Sequence, residues 1–551
     1  MRLLRFVLLV TVLLYSLTAW SQSGKPFVSK VWKSDNGDGT YTNPILWADY
    51  SDPDVCRVGK DYWMTASSFD CIPGLPILHS RDLVNWELVG HALPRQEPDS
   101  LFQKIQHGRG VWAPSIRYHD GEYYIYWGDP DIGFWRVHTK DPRGKWSVPE
   151  LIMDDPNMGL EDCCPLWDND GKVFLSHGLA GSRSGLKSVL CMAEMTGDAR
   201  QIKGDSRIIY DGHETQPTIE GTKLYKRNGY YYIFAPAGGV STGWQTVLRS
   251  KNIWGPYEEK IVLSRGNTSI NGPHQGAWVD TPSGEDWFIH FQDAGACGRI
   301  VHLQPMKWEN DWPVIGEDPE RDGCGQPVMT HKKPNLPRQP ICTPPDDDEF
   351  NATTLGLQWQ WNANIKRTWS FADQKKGHLR IYSQYTGPIR SLWDFPCLLQ
   401  KLPAPDFTAT TRISIHKDPR YTGERFSYVM MGESYASLTI ESTEKGLVLK
   451  QIECKNANKK GTKTVNDSLL LPEKDSVTMI LRITMRDGKD CTFSYSRDGR
   501  TFQSFGKPFK ARKGRWIGAK IGYAALRPKK SNDGGWIDLD WIRFSKPETE
   551  N

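Results

Sequence analysis

The chain has 551 residues, of which 38% are hydrophobic and 24% are charged, and it carries a formal net charge of +4. This composition excludes a disordered chain and predicts a soluble globular protein of two or three domains. A dedicated nucleic-acid surface is disfavoured, because it would require a clustered basic face. The 11 cysteines form no CxxC pair and no metal-ligand spacing. We expect most of them to be buried apolar residues, with a nucleophile at Cys163–Cys164 as the minor alternative.

The first residues have the features of an export signal. Two arginines precede a largely apolar run over residues 6–15, and the small residues Ala19 and Ser21 precede Gln22. A signal peptide of residues 1–22 is therefore predicted. The alternative of a membrane anchor is disfavoured, because a run of about ten residues is too short to span a bilayer. We expect an exported protein, either periplasmic or secreted.

A repeat organises the chain from residue 43 to about residue 327. In each copy a polar or aromatic residue is followed, seven to ten positions later, by a glycine that opens an aromatic strand. The marker glycines are 62, 50, 58 and 55 residues apart, which suits one four-stranded sheet per repeat. The sequence therefore predicts an all-β fold that begins with a five-bladed β-propeller over residues 23–327. The markers are Gly59, Gly121, Gly171, Gly229 and Gly284.

One position of this repeat carries chemistry. Blades pack radially, so equivalent residues near their innermost strands converge on one small volume. Carboxylates crowded into a partly desolvated funnel are costly unless they bind or react with something. We therefore predict an active site on the propeller axis. The residues at this position are Asp52, Trp112, Asp162, Glu220 and His274.

The last third of the chain forms a second predicted domain. Residues 328–345 are rich in proline, which cannot donate a backbone hydrogen bond, and are predicted to be a stiff linker. Beyond them apolar and polar residues alternate, as in half-buried antiparallel strands. Residues 346–551 are therefore predicted to form a β-sandwich. The apolar residues of one such strand are Val477, Met479, Leu481, Ile483 and Met485.

Several short motifs lie in order along the chain. They include Asn43-Pro44-Ile45-Leu46, Ser51-Asp52-Pro53-Asp54-Val55, Gly110-Val111-Trp112-Ala113-Pro114-Ser115-Ile116-Arg117, Thr218-Ile219-Glu220-Gly221 and His302-Leu303-Gln304-Pro305. Together they resemble glycoside hydrolase family 43, whose members are five-bladed propellers that remove arabinosyl or xylosyl units by inversion. Residues 355–362 are similar to the concanavalin-like jelly roll that follows the propeller in its β-xylosidase-like branch. The resemblance implies an exo-acting hydrolase that releases terminal α-L-arabinofuranosyl or β-D-xylosyl residues from plant hemicellulose oligosaccharides.

The resemblance also assigns the reacting groups. It makes Asp52 the general base, Glu220 the general acid and Asp162 the residue that orients and tunes that acid. Inversion needs two carboxyl groups about 6.5–9.5 Å apart, and a third carboxylate nearby would raise the pKa of the acid. Asp54 lies two residues beyond Asp52 on the same strand face, so spacing alone does not exclude it as the base. Cys163 and Thr222-Lys223 depart from the residues that many relatives have beside the tuning aspartate and the acid.

Further residues of the site follow from the same comparison. Trp112 is predicted to form a platform under the sugar, Phe69 to wall its pocket, and Arg299 to bond its hydroxyl groups. A histidine that matches His274 lies near a water molecule or a calcium ion in relatives. Calcium prefers oxygen ligands, and the expected occupant at His274 is either a structural calcium ion or a water molecule. No cofactor is expected to be required for catalysis.

Two other functions remain open at this point. A carbohydrate-binding propeller without catalysis could use the same residues to hold sugar. A retaining fructosidase is also a five-bladed propeller enzyme, and the stereochemistry of its first product would differ. The expected partner is a hemicellulose oligosaccharide rather than nucleic acid. The sequence does not choose between arabinofuranoside and xyloside, and it is silent on the oligomeric state and on the role of the second domain.

Overall fold

The structure is a computed structural model that describes residues 26–548 of the chain. The predicted signal peptide of residues 1–22 lies outside the described residues. In the described part, no helix combines the length and the apolar character needed to cross a membrane. The architecture is nearly all-β, with a five-bladed propeller followed by a β-sandwich. The predicted fold class is confirmed.

The propeller consists of five antiparallel sheets, and each sheet is built from four consecutive strands. Strand β1 (Thr40–Thr42) precedes the blades. Blade 1 contains β2 (Asp54–Val58), β3 (Asp61–Thr65), β4 (Gly74–Ser80) and β5 (Glu87–Leu93); blade 2 contains β6 (Trp112–His119), β7 (Glu122–Asp129), β8 (Gly133–Thr139) and β9 (Glu150–Asp154); blade 3 contains β10 (Leu160–Trp167), β11 (Val173–Leu179), β12 (Val189–Met195) and β13 (Ile202–Asp211); blade 4 contains β14 (Lys223–Arg227), β15 (Tyr230–Ala237), β16 (Trp244–Ser250) and β17 (Glu258–Leu263); blade 5 contains β18 (His274–Asp280), β19 (Asp286–Asp293), β20 (Arg299–Glu309) and β21 (Trp312–Ile315).

The marker glycines lie in the turns between the first and second strands of their blades. All five have φ between +62° and +84°, a region that glycine enters without the steric cost of a Cβ atom. A Cβ atom added at any of the five would meet no atom within 4 Å. The backbone conformation of the turn, rather than a lack of space, therefore explains the recurrence of glycine.

The chain after blade 5 returns to the start of the propeller. Strand β22 (Thr330–Lys332) pairs with β1, and Lys333 Nζ forms buried ion pairs with Asp35 at 2.6 Å and Asp82 at 2.8 Å. Further along the proline-rich segment, the backbone N–H of Cys342 donates to Asn85 Oδ1 at 3.1 Å. The segment over 328–345 is therefore held against blade 1 by backbone pairing and by charge.

The second domain is a sandwich of a seven-stranded and an eight-stranded sheet. In the strand Ser476–Arg486 every second residue from 477 to 485 is buried, which confirms the predicted alternation. The strands are β23 (Gln360–Trp361), β24 (Ser370–Asp373), β25 (His378–Tyr382), β26 (Leu398–Lys401), β27 (Phe407–His416), β28 (Arg425–Met431), β29 (Tyr435–Thr443), β30 (Gly446–Lys455), β31 (Thr462–Leu470), β32 (Ser476–Arg486), β33 (Asp490–Ser496), β34 (Gln503–Ser504), β35 (Phe509–Lys510), β36 (Lys520–Leu526) and β37 (Trp536–Ser545); the described helices are Asp99–Phe102, Gly181–Ser184 and the 3₁₀ turns Gly295–Cys297, Leu392–Asp394 and Ala457–Lys459.

The two domains share a polar interface as well as an apolar one. Ile72 and Trp361 exchange backbone hydrogen bonds of 2.7 and 2.6 Å between the domains. The buried Asn364 accepts a hydrogen bond from the backbone N–H of Gln96 and donates one to its carbonyl, each at 2.9 Å. These directional contacts specify one arrangement of the sandwich against blade 1. They bring β36 and the loop before it to the axial side of the propeller.

Candidate active site

The predicted axial residues lie where the innermost strands begin, and the backbone there is irregular. Asp52 and Asp162 both adopt positive φ, at 52° and 57°. The pairing of the first two strands also shifts register beside Trp112, Asp162 and His274. Bulges of this kind bend a strand and redirect its side chains. The strained conformations are typical of functional sites, where the surrounding fold maintains them.

Asp52 is a buried carboxylate that accepts several hydrogen bonds. The hydroxyl groups of Ser51 and Ser67 each donate to its Oδ2 at 2.6 Å. Arg299 Nη1 lies 3.0 Å from Oδ1 and 3.2 Å from Oδ2, so the guanidinium faces the carboxylate directly. Charge-assisted donors of this kind suit an ionised carboxylate. The group is held in one orientation at the mouth of blade 1.

Asp54, the alternative that sequence spacing left open, has a different environment. It is fully buried, and its Oδ2 accepts hydrogen bonds from the backbone N–H of Ile116 and from Arg117, each at 2.6 Å. Both donors belong to blade 2. Asp54 therefore joins two blades and is sealed from solvent, whereas Asp52 faces the axial pit.

Asp162 and Glu220 face one another across blades 3 and 4. Asp162 is buried, and its Oδ2 accepts a hydrogen bond from the backbone N–H of Gly221 at 2.8 Å. A Cβ atom at Gly221 would lie 2.6 Å from Gln275 Cγ, so this close approach requires glycine. Glu220 keeps 30% of its side chain exposed, and its Oε1 is 2.7 Å from His274 Nε2. Glu220 is therefore the carboxyl group of the pair that an entering substrate can reach.

The electrostatic environment of Asp162 is strongly perturbed. Burial, followed by the negative charges of Glu220 and Asp52, raises the pKa of Asp162 from 3.8 to about 8. Desolvation and nearby like charges both disfavour the ionised form of a carboxyl group. Three carboxyl groups from three different blades thus influence one another, as the sequence predicted from their repeat position.

Glu161 is a pit residue that the sequence analysis did not select. Its carboxylate, that of Asp162 and that of Glu220 each place an oxygen within 4.8 Å of the other two. It is 7% exposed, and no residue in the range 26–548 donates a hydrogen bond to it. Burial, and then the charges of Asp162 and Glu220, raise the pKa of Glu161 well above 4.5. In a regular strand consecutive side chains face opposite sides of the sheet. The bulge after Glu161 interrupts this alternation, so the side chains of Glu161 and Asp162 both face the pit.

Thr222 and Lys223, which follow Glu220 in the sequence, form hydrogen bonds to neighbouring blades. Thr222 donates from Oγ1 to the carbonyl of Asp162 at 2.8 Å. Lys223 is fully buried, and its Nζ donates to the carbonyl of Pro114 and to Ser115 Oγ, each at 2.9 Å. The Thr222-Lys223 departure from the family pattern thus links blades 2, 3 and 4 beneath the pit.

Aromatic rings line one side of the opening. Trp112 is half-buried, and its Nε1 donates to the carbonyl of Gly108 at 2.8 Å. The buried Phe69 meets its ring edge-on at 6.1 Å between centroids. The ring of Trp516, from the second domain, also meets the ring of Trp112 edge-on, with 5.8 Å between the centroids, and Trp516 is 38% exposed. Sequence reasoning missed Trp516, because no local pattern showed that residues more than 400 positions apart would meet.

Arg299 and His274 both bind neighbouring carboxylates. The structure makes Arg299 the ion-pair partner of Asp52, with a side chain that is 13% exposed. His274 uses Nε2 on Glu220, while its Nδ1 and Gln275 Oε1 are buried without a partner among the described residues. His274 is not one of the three clustered potential metal ligands, Glu161, Asp162 and Glu220. These orphaned atoms can accept a hydrogen bond or meet a small cation, but one nitrogen and one oxygen do not amount to a calcium cage.

Comparison with known proteins agrees with this geometry. Residues 41–313 match the family model for glycosyl hydrolases family 43, and residues 347–545 match the β-xylosidase C-terminal concanavalin A-like domain. A protein of Formosa agariphila named "Beta-xylosidase" is 32% identical over 557 residues, which cover 93% of this chain and 91% of that one. The "Non-reducing end alpha-L-arabinofuranosidase BoGH43B" of Bacteroides ovatus is 32% identical over 364 residues, 62% of this chain and 65% of its own.

A solved structure extends the similarity to the whole fold. The structure described as "Bacteroides ovatus Xyloglucan PUL GH43B" superposes with a TM-score of 0.78 at 26% identity, covering 92% of this chain and 100% of that one. Propeller, sandwich and their order along the chain are thus shared. The chain with its five blades, its axial carboxylates and its appended sandwich belongs to glycosyl hydrolases family 43 and is a glycosidase.

Proposed function

We propose that this glycosidase is an exo-acting, inverting enzyme that releases terminal α-L-arabinofuranosyl or β-D-xylosyl residues from plant hemicellulose oligosaccharides of the xylan, arabinoxylan or xyloglucan type. The names of the relatives support this substrate class, since they include a β-xylosidase and an α-L-arabinofuranosidase. One observation carries the mechanism: three carboxyl groups from three blades meet in a pit where only Glu220 is substantially exposed.

Asp52 acts as the general base in this proposal. Its orientation is held by Arg299 and by the hydroxyl groups of Ser51 and Ser67. A carboxylate fixed in this way can accept a proton from a water molecule as that water attacks the anomeric carbon. The ion pair with Arg299 also fixes the position of the carboxylate while the water molecule attacks.

Glu220 acts as the general acid. With His274 Nε2 on its Oε1, the oxygen that carries the proton is Oε2, which remains free to approach the glycosidic oxygen. Asp162 places a carboxyl oxygen within 4.8 Å of one on Glu220, so in this proposal it is the residue that orients the acid. Proton donation to the departing oxygen and attack of water from the opposite face together give inversion.

Aromatic side chains recognise the sugars on either side of the scissile bond. Trp112 and Phe69 offer faces and edges for the C–H groups of the terminal sugar. Trp516 stands at the outer rim against Trp112, where the leaving-group sugar would emerge. The second domain thereby contributes to the binding of the chain that remains after cleavage.

Two further expectations belong to this proposal. The protein is exported, and N-terminal sequencing of the mature protein from a native host should begin near residue 23. The buried Nδ1 of His274, which has no partner among the described residues, receives a water molecule or a structural calcium ion whose other ligands are water oxygens, and no catalytic step involves a metal. Elemental analysis of protein purified without chelator would distinguish the two occupants.

Replacing the two reacting groups should abolish turnover. We expect Asp52→Asn and Glu220→Gln each to lower kcat/KM by about 10²–10⁴-fold on xylo- and arabino-oligosaccharides, because each removes one proton-transfer group. With nitrophenyl pentosides the loss in Glu220→Gln should be smaller, since a nitrophenolate needs little protonation. Parallel assays on the α-L-arabinofuranoside and the β-D-xyloside report which sugar is preferred, and NMR of the first-formed product reports its anomeric configuration.

The matched control is Asp54→Asn, which makes the same chemical change two residues away. This variant should be less stable, because Arg117 loses its partner, while its folded fraction keeps near-normal turnover. Full activity in Asp52→Asn, or loss restricted to Asp54→Asn, would contradict the assignment of the base. A first product with retained configuration would contradict inversion.

Asp162 should make the folded protein less stable as the pH rises. Its pKa in the folded protein is about 8, against 3.8 for an ordinary aspartate. Between these values the folded state holds a proton that the unfolded chain has lost, so the free energy of unfolding falls with increasing pH. We expect Asp162→Asn to be inactive yet more stable than the wild type by more than about 1 kcal/mol at pH 8, with no gain at pH 4. The exposed Asp170→Asn is the control, and equal pH dependence in both variants would exclude this effect.

Glu161 should bind a sugar hydroxyl group, because its carboxyl group faces the pit and accepts no hydrogen bond from any of residues 26–548. We expect Glu161→Leu to raise KM about tenfold, which corresponds to the loss of one hydrogen bond. Glu161→Gln, which can still form hydrogen bonds, should restore most of the affinity. An unchanged KM in Glu161→Leu would show that the residue does not contact substrate.

A further inference from the structure

A cysteine and a lysine meet across the domain interface. Cys71 lies in the loop between β3 and β4, two residues after Phe69, and Lys520 is the first residue of β36 in the sandwich. Lys520 Nζ donates to Cys71 Sγ at 2.8 Å. Each residue is 3% exposed. The pair therefore joins the loop that walls the candidate sugar pocket to the second domain.

The distance between these two atoms is short for a contact with sulfur. It lies within the range normal for N–H···O hydrogen bonds, although sulfur is the larger acceptor. Lys520 Nζ makes no other hydrogen bond within residues 26–548. The nearby Asp49 and Asp70 instead accept from backbone N–H groups, Asp49 from Arg299 and Gly518 and Asp70 from Gln106 and His107.

The pair lies beside a cavity. A small cavity of about 40 Å³ lies between the propeller and the sandwich, and Cys71 and Lys520 both line it. Its other walls include the stacked rings of His107 and Trp393 and the carboxylate of Asp70. The cavity has room for a molecule the size of hydrogen peroxide beside the pair.

We propose that Cys71 and Lys520 form a reversible covalent cross-link in which one oxygen atom joins Sγ to Nζ. A single bridging oxygen fits the observed 2.8 Å separation with little movement. A direct sulfur–nitrogen bond would require the two atoms to move much closer together. The co-reactant is hydrogen peroxide.

The chemistry balances with two molecules of peroxide. The first oxidises the thiol to a sulfenic acid and leaves as water. The lysine ammonium gives its proton to solvent, and the second peroxide oxidises the neutral amine to a hydroxylamine and also leaves as water. The hydroxylamine oxygen then attacks the sulfenic sulfur, whose hydroxyl group departs as a third water. Sulfur and nitrogen each lose two electrons, and the product has gained one oxygen and lost two hydrogens.

The bond would join covalently two domains that hydrogen bonds and packing hold together. Residues 71 and 520 are separated by 449 positions, so the link would close a very long loop and restrict the unfolded chain. It would also hold the Phe69 loop against the sandwich beside the rim that carries Trp516. Thiol reductants would reverse it and return the thiol, the amine and water.

Intact-mass measurement of the full-length mature protein tests this proposal. After treatment with dilute peroxide we expect a species heavier by one oxygen and lighter by two hydrogens, which dithiothreitol converts back. Tandem mass spectrometry should find one cross-linked peptide pair containing residues 71 and 520, and tryptic cleavage after Lys520 should disappear. The melting temperature should be higher in the oxidised than in the reduced protein.

Two variants and one internal control sharpen the result. Cys71→Ser and Lys520→Arg should both fold, lack the cross-linked species and lose the redox dependence of the melting temperature. Cys164 serves as the control within the same chain, because its Sγ lies 2.8 Å from Arg117 Nη2, a guanidinium that stays protonated and offers no free amine. Detection in the wild type of only sulfenic, sulfinic or sulfonic acid at Cys71, or of no change at all, would overturn the proposal. So would the same mass change in Lys520→Arg.

Discussion

Repulsion between carboxylates in one desolvated pit is the constraint around which the rest of the site is arranged. Each acidic group is stabilised in a different way. Asp52 faces the guanidinium of Arg299, Asp162 accepts from a backbone N–H and has a raised pKa, and Glu220 bonds to His274. The carboxyl groups therefore have different surroundings, as the proposed division of roles between a base and an acid requires. Without such differences the carboxylates would only repel one another.

The propeller supplies this arrangement because its blades are rigid and their innermost strands begin at one axis. The local cost is visible in the backbone, since Asp52 and Asp162 are non-glycine residues with positive φ. Four-stranded sheets packed on both sides maintain that strain. The bulge in blade 3 has a second effect, because it brings both Glu161 and Asp162 into the pit. The chemical character of the site therefore depends on irregularities placed within an otherwise regular repeat.

The sandwich is part of the same functional unit. Its backbone pairs with blade 1 at Ile72 and Trp361, and its Trp516 stands against Trp112 at the opening. Its Lys520 is in buried contact with Cys71, which belongs to the same loop as Phe69. A change in the contact between the domains would therefore shift the loop that carries Phe69, which lines the candidate sugar pocket. Similar chains match this one over nearly the full length of both domains.

The sequence by itself determined the number of blades, the order of the domains and the residue types at the axis. The marker glycines satisfy a local backbone requirement, and the alternation in β32 reflects strand geometry, so both can be recognised in a short window of sequence. The choice between Asp52 and Asp54 could not be made that way, because residues two apart share a strand face. Only the packing of blade 2 against blade 1, with Arg117 on Asp54, separates them. The pairing of Arg299 with Asp52, the entry of Glu161 into the pit and the arrival of Trp516 at its rim were likewise decided by tertiary structure. Local periodicity specifies which face of a strand a residue occupies, whereas contacts between blades and domains depend on how those faces pack in space.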